Sequence, residues 1–376
     1  MTLQLLEHEE ARLLDLLRTQ LVIDWDQTRS HPLLGGLSGA TVTRLAFAWQ
    51  NTTPANRTRE HLRPTNQDFT AAGVTSTVLK TGELAALTKE VAAYAQIPEE
   101  YQHYFGRIVS GPHATDDATK AYLLLEDLAG YVTLQEALCT GDQSSIAGIV
   151  EQLQTFLQRV YAIPIGIGEQ STNIDQIYLA PICRSWRKLA RYRPYLLGFD
   201  AIGSTVERQL AALYQYRSLL NTFPRTIMHG DLHLRNIMVR EIRPETGDLD
   251  FRLIDLEKFH TAGDLAHDIG ELSMALANLC HTTGWSASLQ WISPTIETTM
   301  TKALRQRGDY TFPARLELAK VRSLLKVMEL DLKRLIPAAI LSPEQGRSRS
   351  NFFIQLDLAQ VQSHLAKVVD YLQACR

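Results

Sequence analysis

An α+β protein in two lobes is predicted, the first small and rich in strands, the second larger and mainly helical. Three observations carry that expectation. At 376 residues the chain exceeds one ordinary domain and can bury two separate cores. Strand-like runs concentrate early: a segment marked by Val42, Leu45, Phe47 and Trp49, then VTSTVLK ending at Lys80, FGRIV from Phe105, and AYLLLEDL from Ala121 to Leu128. Later, apolar residues recur at helical spacing: Ile149, Leu153, Phe156 and Val160; Val206, Leu210 and Leu213; Leu318, Val321, Leu325, Met328 and Leu332; Leu358, Val361, Leu365, Val368 and Leu372. The division is expected at 1–127 and 128–376.

Composition excludes several classes. A hydrophobic share of 45% and a net charge of −3 describe an ordinary globular chain, with no general attraction to nucleic acid or lipid. Cys139, Cys183, Cys280 and Cys375 show neither metal-ligand nor disulfide spacing, which suits a reducing compartment. No basic region followed by an apolar run opens the sequence, and no apolar run approaches a membrane span. A cytoplasmic protein is expected, with neither nucleic acid nor membrane as partner.

Along the chain, residues 3–21 read as an amphipathic helix through Leu6, Leu13, Leu14, Leu17 and Leu21. The turn GGLSGA, with Gly36, Ser38 and Gly39, precedes the first strong strand; glycines there let backbone N–H groups approach phosphate oxygens, although a hairpin needs glycine in any case. Residues 50–71 form a long polar connection. Lys80 closes the next strand run, and Glu90 lies in the helix-like ELAALTKEVAAYAQI that follows. Farther on, Arg184, Arg187, Lys188, Arg191 and Arg193 make a cationic ridge. It reads either as a solvated helix face or as a contact for an acidic partner, including another protein.

The densest chemistry lies in HGDLHLRN, His229–Asn236, and in LIDLE, Leu253–Glu257. Apolar runs on either side predict short strands that place Asp231, Asn236 and Asp255 at strand ends or in the loop between. Phosphoryl transfer needs a base beside the attacking hydroxyl and hard oxygen ligands for Mg²⁺, and these three residues supply both. The bland alternative is a tight turn capped by Asp231 with Asp255 buried behind it.

The pattern H-G-D-x-x-x-x-N followed by I-D resembles the catalytic core of the aminoglycoside phosphotransferase and choline kinase superfamily, whose members have a bilobal protein-kinase-like fold. Gly230 stands where protein kinases carry Arg, Leu256-Glu257 replace Phe-Gly, and no A-P-E follows. The resemblance implies Asp231 as catalytic base and Asn236 and Asp255 as Mg²⁺ ligands. It implies that Gly36, Ser38 and Gly39 cover ATP phosphates, and that Lys80, steadied by Glu90, neutralises them. It further implies a hinge where Glu126 and Leu128 meet adenine through their backbone groups, and Asp268 bracing the catalytic loop. Asp264 reads as a helix cap, and His260 and His267 as satisfied hydrogen-bonding groups.

The expected activity is ATP-dependent phosphorylation of a hydroxyl on a small molecule, of aminoglycoside, choline or sugar type. Glu257, Asp264 and Glu271 could line an acidic pocket, Trp285, Trp291 and Tyr310 an aromatic box, and the arginine ridge an anion site. The alternative is a kinase-fold signalling or nucleotide-sensing module that binds or phosphorylates a protein.

Overall fold

A computed structural model of the chain describes residues 23–33, 41–49, 74–115, 119–163, 173–193, 196, 199–243, 247–283, 289–341 and 343–375. The helix expected at 3–21, the turn holding Gly36, Ser38 and Gly39, the connection at 50–71 and Trp285 lie outside the described residues. The chain divides into two compact units, Met1–Gly130 with Asp255–Glu257, and Tyr131–Ile254 with Lys258–Arg376. The first unit thus extends past Leu128 and takes in Asp255, which sequence order alone assigned to the second.

The first unit is built on an antiparallel sheet. Strands β1 (Ile23–Leu33), β2 (Thr41–Trp49) and β3 (Val74–Glu83) are followed by helix α1 (Leu84–Ala95), then β4 (Ile108–Ala114) and β5 (Lys120–Glu126). Their spatial order is β1-β2-β3-β5-β4. Strand β3 does not stop at Lys80, because Thr81, Gly82 and Glu83 go on pairing with Tyr122, Ala121 and Lys120. FGRIV is not one strand either. Phe105 closes a 3-10 turn, its amide donating to Gln102 O at 3.0 Å, and β4 starts only at Ile108.

Register explains how a lysine comes to lie inside. Lys80 pairs with Leu123 across the ladder, and directly opposed residues project to the same face. Leu123 packs with Leu87 of α1, so Lys80 stands on the face that α1 covers. Helix α1 buries Leu87, Glu90 and Ala93 on its inner stripe, which brings a carboxylate to that lysine.

In the second unit β6 (Val132–Thr133) leads into α2 (Leu134–Thr140) through a capping box between Thr133 and Glu136. Helix α3 (Gln143–Val160) starts at Asp142, which accepts from Ser145 N at 2.8 Å, and it buries the predicted Ile149, Leu153, Phe156 and Val160. Helices α4 (Ala180–Ala190), α5 (Phe199–Leu213) and α6 (Arg217–Leu220) follow. Then come β7 (Thr226–Met228), β8 (Ile237–Arg243), β9 (Asp248–Leu253) and β10 (His260–Gly263). β6, β8 and β9 form one sheet, and β7 pairs with β10 in another. The chain ends in α7 (Leu265–Thr283), α8 (Ile292–Gln306), α9 (Phe312–Leu341) and α10 (Pro343–Ala374).

All the predicted apolar positions of α9 and α10 are buried, and they share a core with Val206, Leu210 and Leu213 of α5. Each such side chain contributes about 1.5–3 kcal/mol on burial, so this helical layer is a firm base for the short strands. The cationic ridge on α4 is a solvated face: Ile182, Trp186 and Leu189 turn inward, while Arg184, Arg187 and Arg191 are exposed and Lys188 pairs with Glu329 at 2.6 Å. Among the described residues no helix is long and apolar enough to cross a membrane.

Candidate functional site

In the first unit Lys80 Nζ lies 2.7 Å from Glu90 Oε2 and 2.9 Å from Asp255 Oδ1. Burial alone would pull this ammonium down, but the two carboxylates hold it above its ordinary pKa. The protonated lysine is therefore the form the site is built for. Glu83, nearer in sequence, is the exposed residue just before α1 and is not the partner. Asp255 has φ of +67°, the left-handed region that side chains other than glycine enter at a cost.

The stretch around Glu126 is held by local bonds. Glu126 N donates to Arg107 O at 2.8 Å, and its carboxylate accepts from Arg107 N at 3.2 Å. Arg44 of β2 bonds Asp127 at 3.1 Å, and Leu128 is half-buried beyond it.

In the second unit β7 delivers the chain to His229, and the turn that follows hangs on Asp268 of α7. His229 N donates to Asp268 Oδ2 at 2.6 Å, Gly230 N to Oδ1 at 2.8 Å, and Tyr161 Oη to Oδ2 at 2.7 Å. Burial pushes the Asp268 carboxyl up to about 7, while these three donors favour its ionised form. His229 Nε2 faces Ile254 O at 2.9 Å, so this nitrogen carries the proton. Gly230 has φ of +79°, and a Cβ there would stand 2.3 Å from Lys258 O. Glycine in place of the protein-kinase arginine is thus a steric requirement of this turn.

The same turn sets out Asp231 and Asn236. Asn236 Nδ2 donates to Asp231 O at 3.0 Å, which fixes the side-chain amide. Asp231 receives Lys258 Nζ at 2.7 Å and Lys326 Nζ of α9 at 3.0 Å. Burial would raise the Asp231 carboxyl, but Lys326 and Lys258 hold it well below the usual carboxylate range.

Residues 69–284, more than half of the chain, match the model of the phosphotransferase enzyme family, APH. Lys80, Glu90, Asp231, Asn236 and Asp255 all fall in that span.

The chain belongs to the phosphotransferase enzyme family.

Among curated proteins, none matches the chain. Solved structures agree in fold. A putative aminoglycoside phosphotransferase from Ralstonia eutropha aligns over 95% of this chain and 98% of its own, with 12% identity and a TM-score of 0.53. A thermostable mutant of aminoglycoside phosphotransferase APH(4)-Ia, in ternary complex with ADP and hygromycin B, covers 95% and 97% at 13% identity with a TM-score of 0.52. The GDP and kanamycin complex of APH(2")-IIIa covers 94% and 98% at 11% identity with a TM-score of 0.51. The architecture is that of the protein-kinase-like aminoglycoside phosphotransferase and choline kinase superfamily.

For this phosphotransferase, several expectations from sequence give way. Asp264 does cap α7, accepting from Ala266 N at 3.0 Å, yet it also receives Arg315 Nε and Tyr178 Oη at 2.8 Å each, and only 1% of it is exposed. Arg315, equally buried, bonds Asp309 at 2.7 Å as well. Asp264 therefore cannot line an acidic pocket, and Glu271 is buried too. His267 is fully buried, with Glu271 Oε1 3.8 Å away, and burial holds the ring's pKa well below its ordinary value. His260 is exposed. Tyr310 lines a groove of about 760 Å³ with Lys302, Arg305 and Tyr371, and Trp291 is not among its lining residues. Lys258, Lys326 and Arg315 were missed. Lys258 stood in plain view after Glu257; the other two had no local signal.

Proposed function

We propose that this phosphotransferase moves the γ-phosphoryl group of ATP to a hydroxyl of a small molecule. The observation that supports it most is the buried Lys80 ammonium clasped between Glu90 and Asp255, with Asp255 on a strained backbone. A buried cation between two carboxylates also serves structure, as Arg315 does between Asp264 and Asp309; at Lys80 the left-handed backbone of Asp255 and the family match add to it, and a triphosphate with its metal has direct use for all three groups. Solved relatives of the same fold were complexed with ADP, AMP-PNP or GDP.

In this reading Lys80 binds phosphate oxygens of the nucleotide and Glu90 keeps the ammonium in place. Gly36, Ser38 and Gly39 cover the phosphates, and the Glu126 and Leu128 backbones receive the base. The donor set suits Mg²⁺: the Asn236 amide oxygen and the Asp255 carboxylate are hard oxygens, and Mg²⁺ takes few protein ligands beside phosphate and water. When bound, Mg²⁺ neutralises charge on the transferring group.

Asp231 receives the acceptor hydroxyl. Held low by two lysines, it is a weak base. That suits a loose transition state, in which orienting the nucleophile matters more than removing its proton early.

The test pairs wild type with Asp231→Asn, using Mg-ATP and pooled hydroxyl compounds, with ADP release and phosphorylated masses as readouts. Loss of about 10²–10⁴-fold in kcat is expected. The Kd for Mg-ATP should stay within about threefold, because the residue acts on the acceptor. Equal turnover by the variant, or no nucleotide binding by wild type, overturns the reading.

A further inference from the structure

The surroundings of Asp231 carry information about the acceptor. Lys258 Nζ and Lys326 Nζ both lie on this one carboxylate, at 2.7 and 3.0 Å, and their side chains are 47% and 49% exposed. Lys326 comes from α9, beyond the span that matches the family. The other charged groups there are few. Arg322 donates to Ile177 O at 2.7 Å, and Glu271 Oε1 lies 3.5 Å from Lys326. Glu271 is buried and its carboxyl is pushed up by that burial. The neighbouring His267 ring is neutral.

The balance is then three cations against Asp231 and a buried, weakly acidic Glu271. Of these groups the two ammonium groups are the most exposed. Each carries three N–H donors. Lys258 spends one on Asp231, and Lys326 spends one on Asp231 with Glu271 farther off. Donors therefore remain open to solvent on both sides of the proposed base. A polycationic acceptor presenting its hydroxyl to Asp231 would press ammonium against ammonium at short range. An oxyanion would meet two charge-assisted hydrogen bonds.

Resting on the phosphotransferase reading, we propose that the acceptor is a hydroxylated anion, carrying a carboxylate or phosphate group that Lys258 and Lys326 hold while its hydroxyl faces Asp231. The arrangement also gives the two lysines a task that ion pairing with Asp231 leaves unexplained. Lys326 also lies 3.5 Å from Glu271, yet both lysine side chains stay about half exposed, which leaves each ammonium able to meet a ligand.

The test uses the full chain and four acceptor pools offered with Mg-ATP: hydroxy acids, sugar phosphates, neutral sugars and polyols, and aminoglycosides with amino-alcohols. Asp231-dependent ADP release and phosphorylated masses are read for each. In parallel, each pool is tested for shielding Lys258 and Lys326 from amine-reactive labelling, with and without Mg-ATP, by peptide mass. One of the two anionic pools should be turned over fastest and should shield both lysines, and which of them does so separates a carboxylate from a phosphate ligand. Lys258→Met and Lys326→Met should each raise KM for that acceptor about 10- to 100-fold, with KM for Mg-ATP within about twofold. Faster turnover of a neutral or cationic pool overturns the proposal while leaving the kinase reading in place. So does a KM effect confined to ATP, or the absence of shielding by either anionic pool. Failure to bind Mg-ATP counts against the kinase reading alone, since the shielding measurement still decides the anion site.

Discussion

The two units carry ionic clusters that are inversions of each other. In the first, one lysine sits between two carboxylates; in the second, one carboxylate sits between two lysines. In the first, Lys80 and Glu90 are each about 5% exposed and Asp255 is 23% exposed, while the lysines of the second are half in water. Neither is neutral by itself. In the proposed reading the excess negative charge of the first meets a phosphate-bound divalent metal, and the excess positive charge of the second meets an anion. The lesson is that the charge left over, more than the residue types, states what each cluster awaits.

Four substitutions press on that contrast. The largest effect is expected for Lys80→Met, which strands Glu90 and Asp255 without their cation. Breaking a buried pair from one side costs about 3–5 kcal/mol, to be read from denaturant unfolding. Mg-ATP affinity should fall with it, by about 10- to 100-fold, as titration calorimetry would report. Lys326→Met, by contrast, removes a half-exposed pair worth about 0–1 kcal/mol, so comparable destabilisation by the two would break the comparison.

Next comes Gly230→Ala. Its Cβ would meet the Lys258 carbonyl at 2.3 Å on a backbone that disfavours any side chain. A cost of about 1–3 kcal/mol follows from the strain. The neighbouring Asp231 must shift with the turn, so kcat should drop about 100-fold while Mg-ATP affinity holds.

The smallest effect, Glu317→Gln, sharpens the contrast from a third cluster. Glu317 is paired with Lys320 at 3.0 Å and with His364, and it has no role in either reading. Burial opposes its ionisation, yet His364 and Lys320 hold its carboxyl down to about 2 from an ordinary 4.5. A depressed carboxyl adds stability that is fully present above pH 4.5 and is lost as pH falls toward 2. Glu317→Gln should flatten the stability profile in that acid window by about 1–2 kcal/mol and leave kcat/KM unchanged at neutral pH.

Much of this was legible in the chain. The helix faces of α3, α5, α9 and α10 followed from spacing alone, because an amphipathic helix must turn the same stripe inward wherever it packs. Strand limits were less accurate, as at Lys80, since a strand lasts as long as its neighbour offers ladder partners, and β5 reaches farther than the apolar pattern of β3 suggested. Asp264 looked like a cap and is one, but its second oxygen answers to Arg315, 51 residues on. No periodicity encodes such a pairing.

By itself the sequence determined the family, the α+β class and the spacing of Lys80, Glu90, Asp231, Asn236 and Asp255, because local motifs and periodic faces are written in consecutive residues. Only the tertiary structure decided which charges gather around them. The placing of Lys326 on Asp231, 95 residues away, depends on how α9 lies in the helical layer, and the charge of an acceptor site is settled by such distant arrivals.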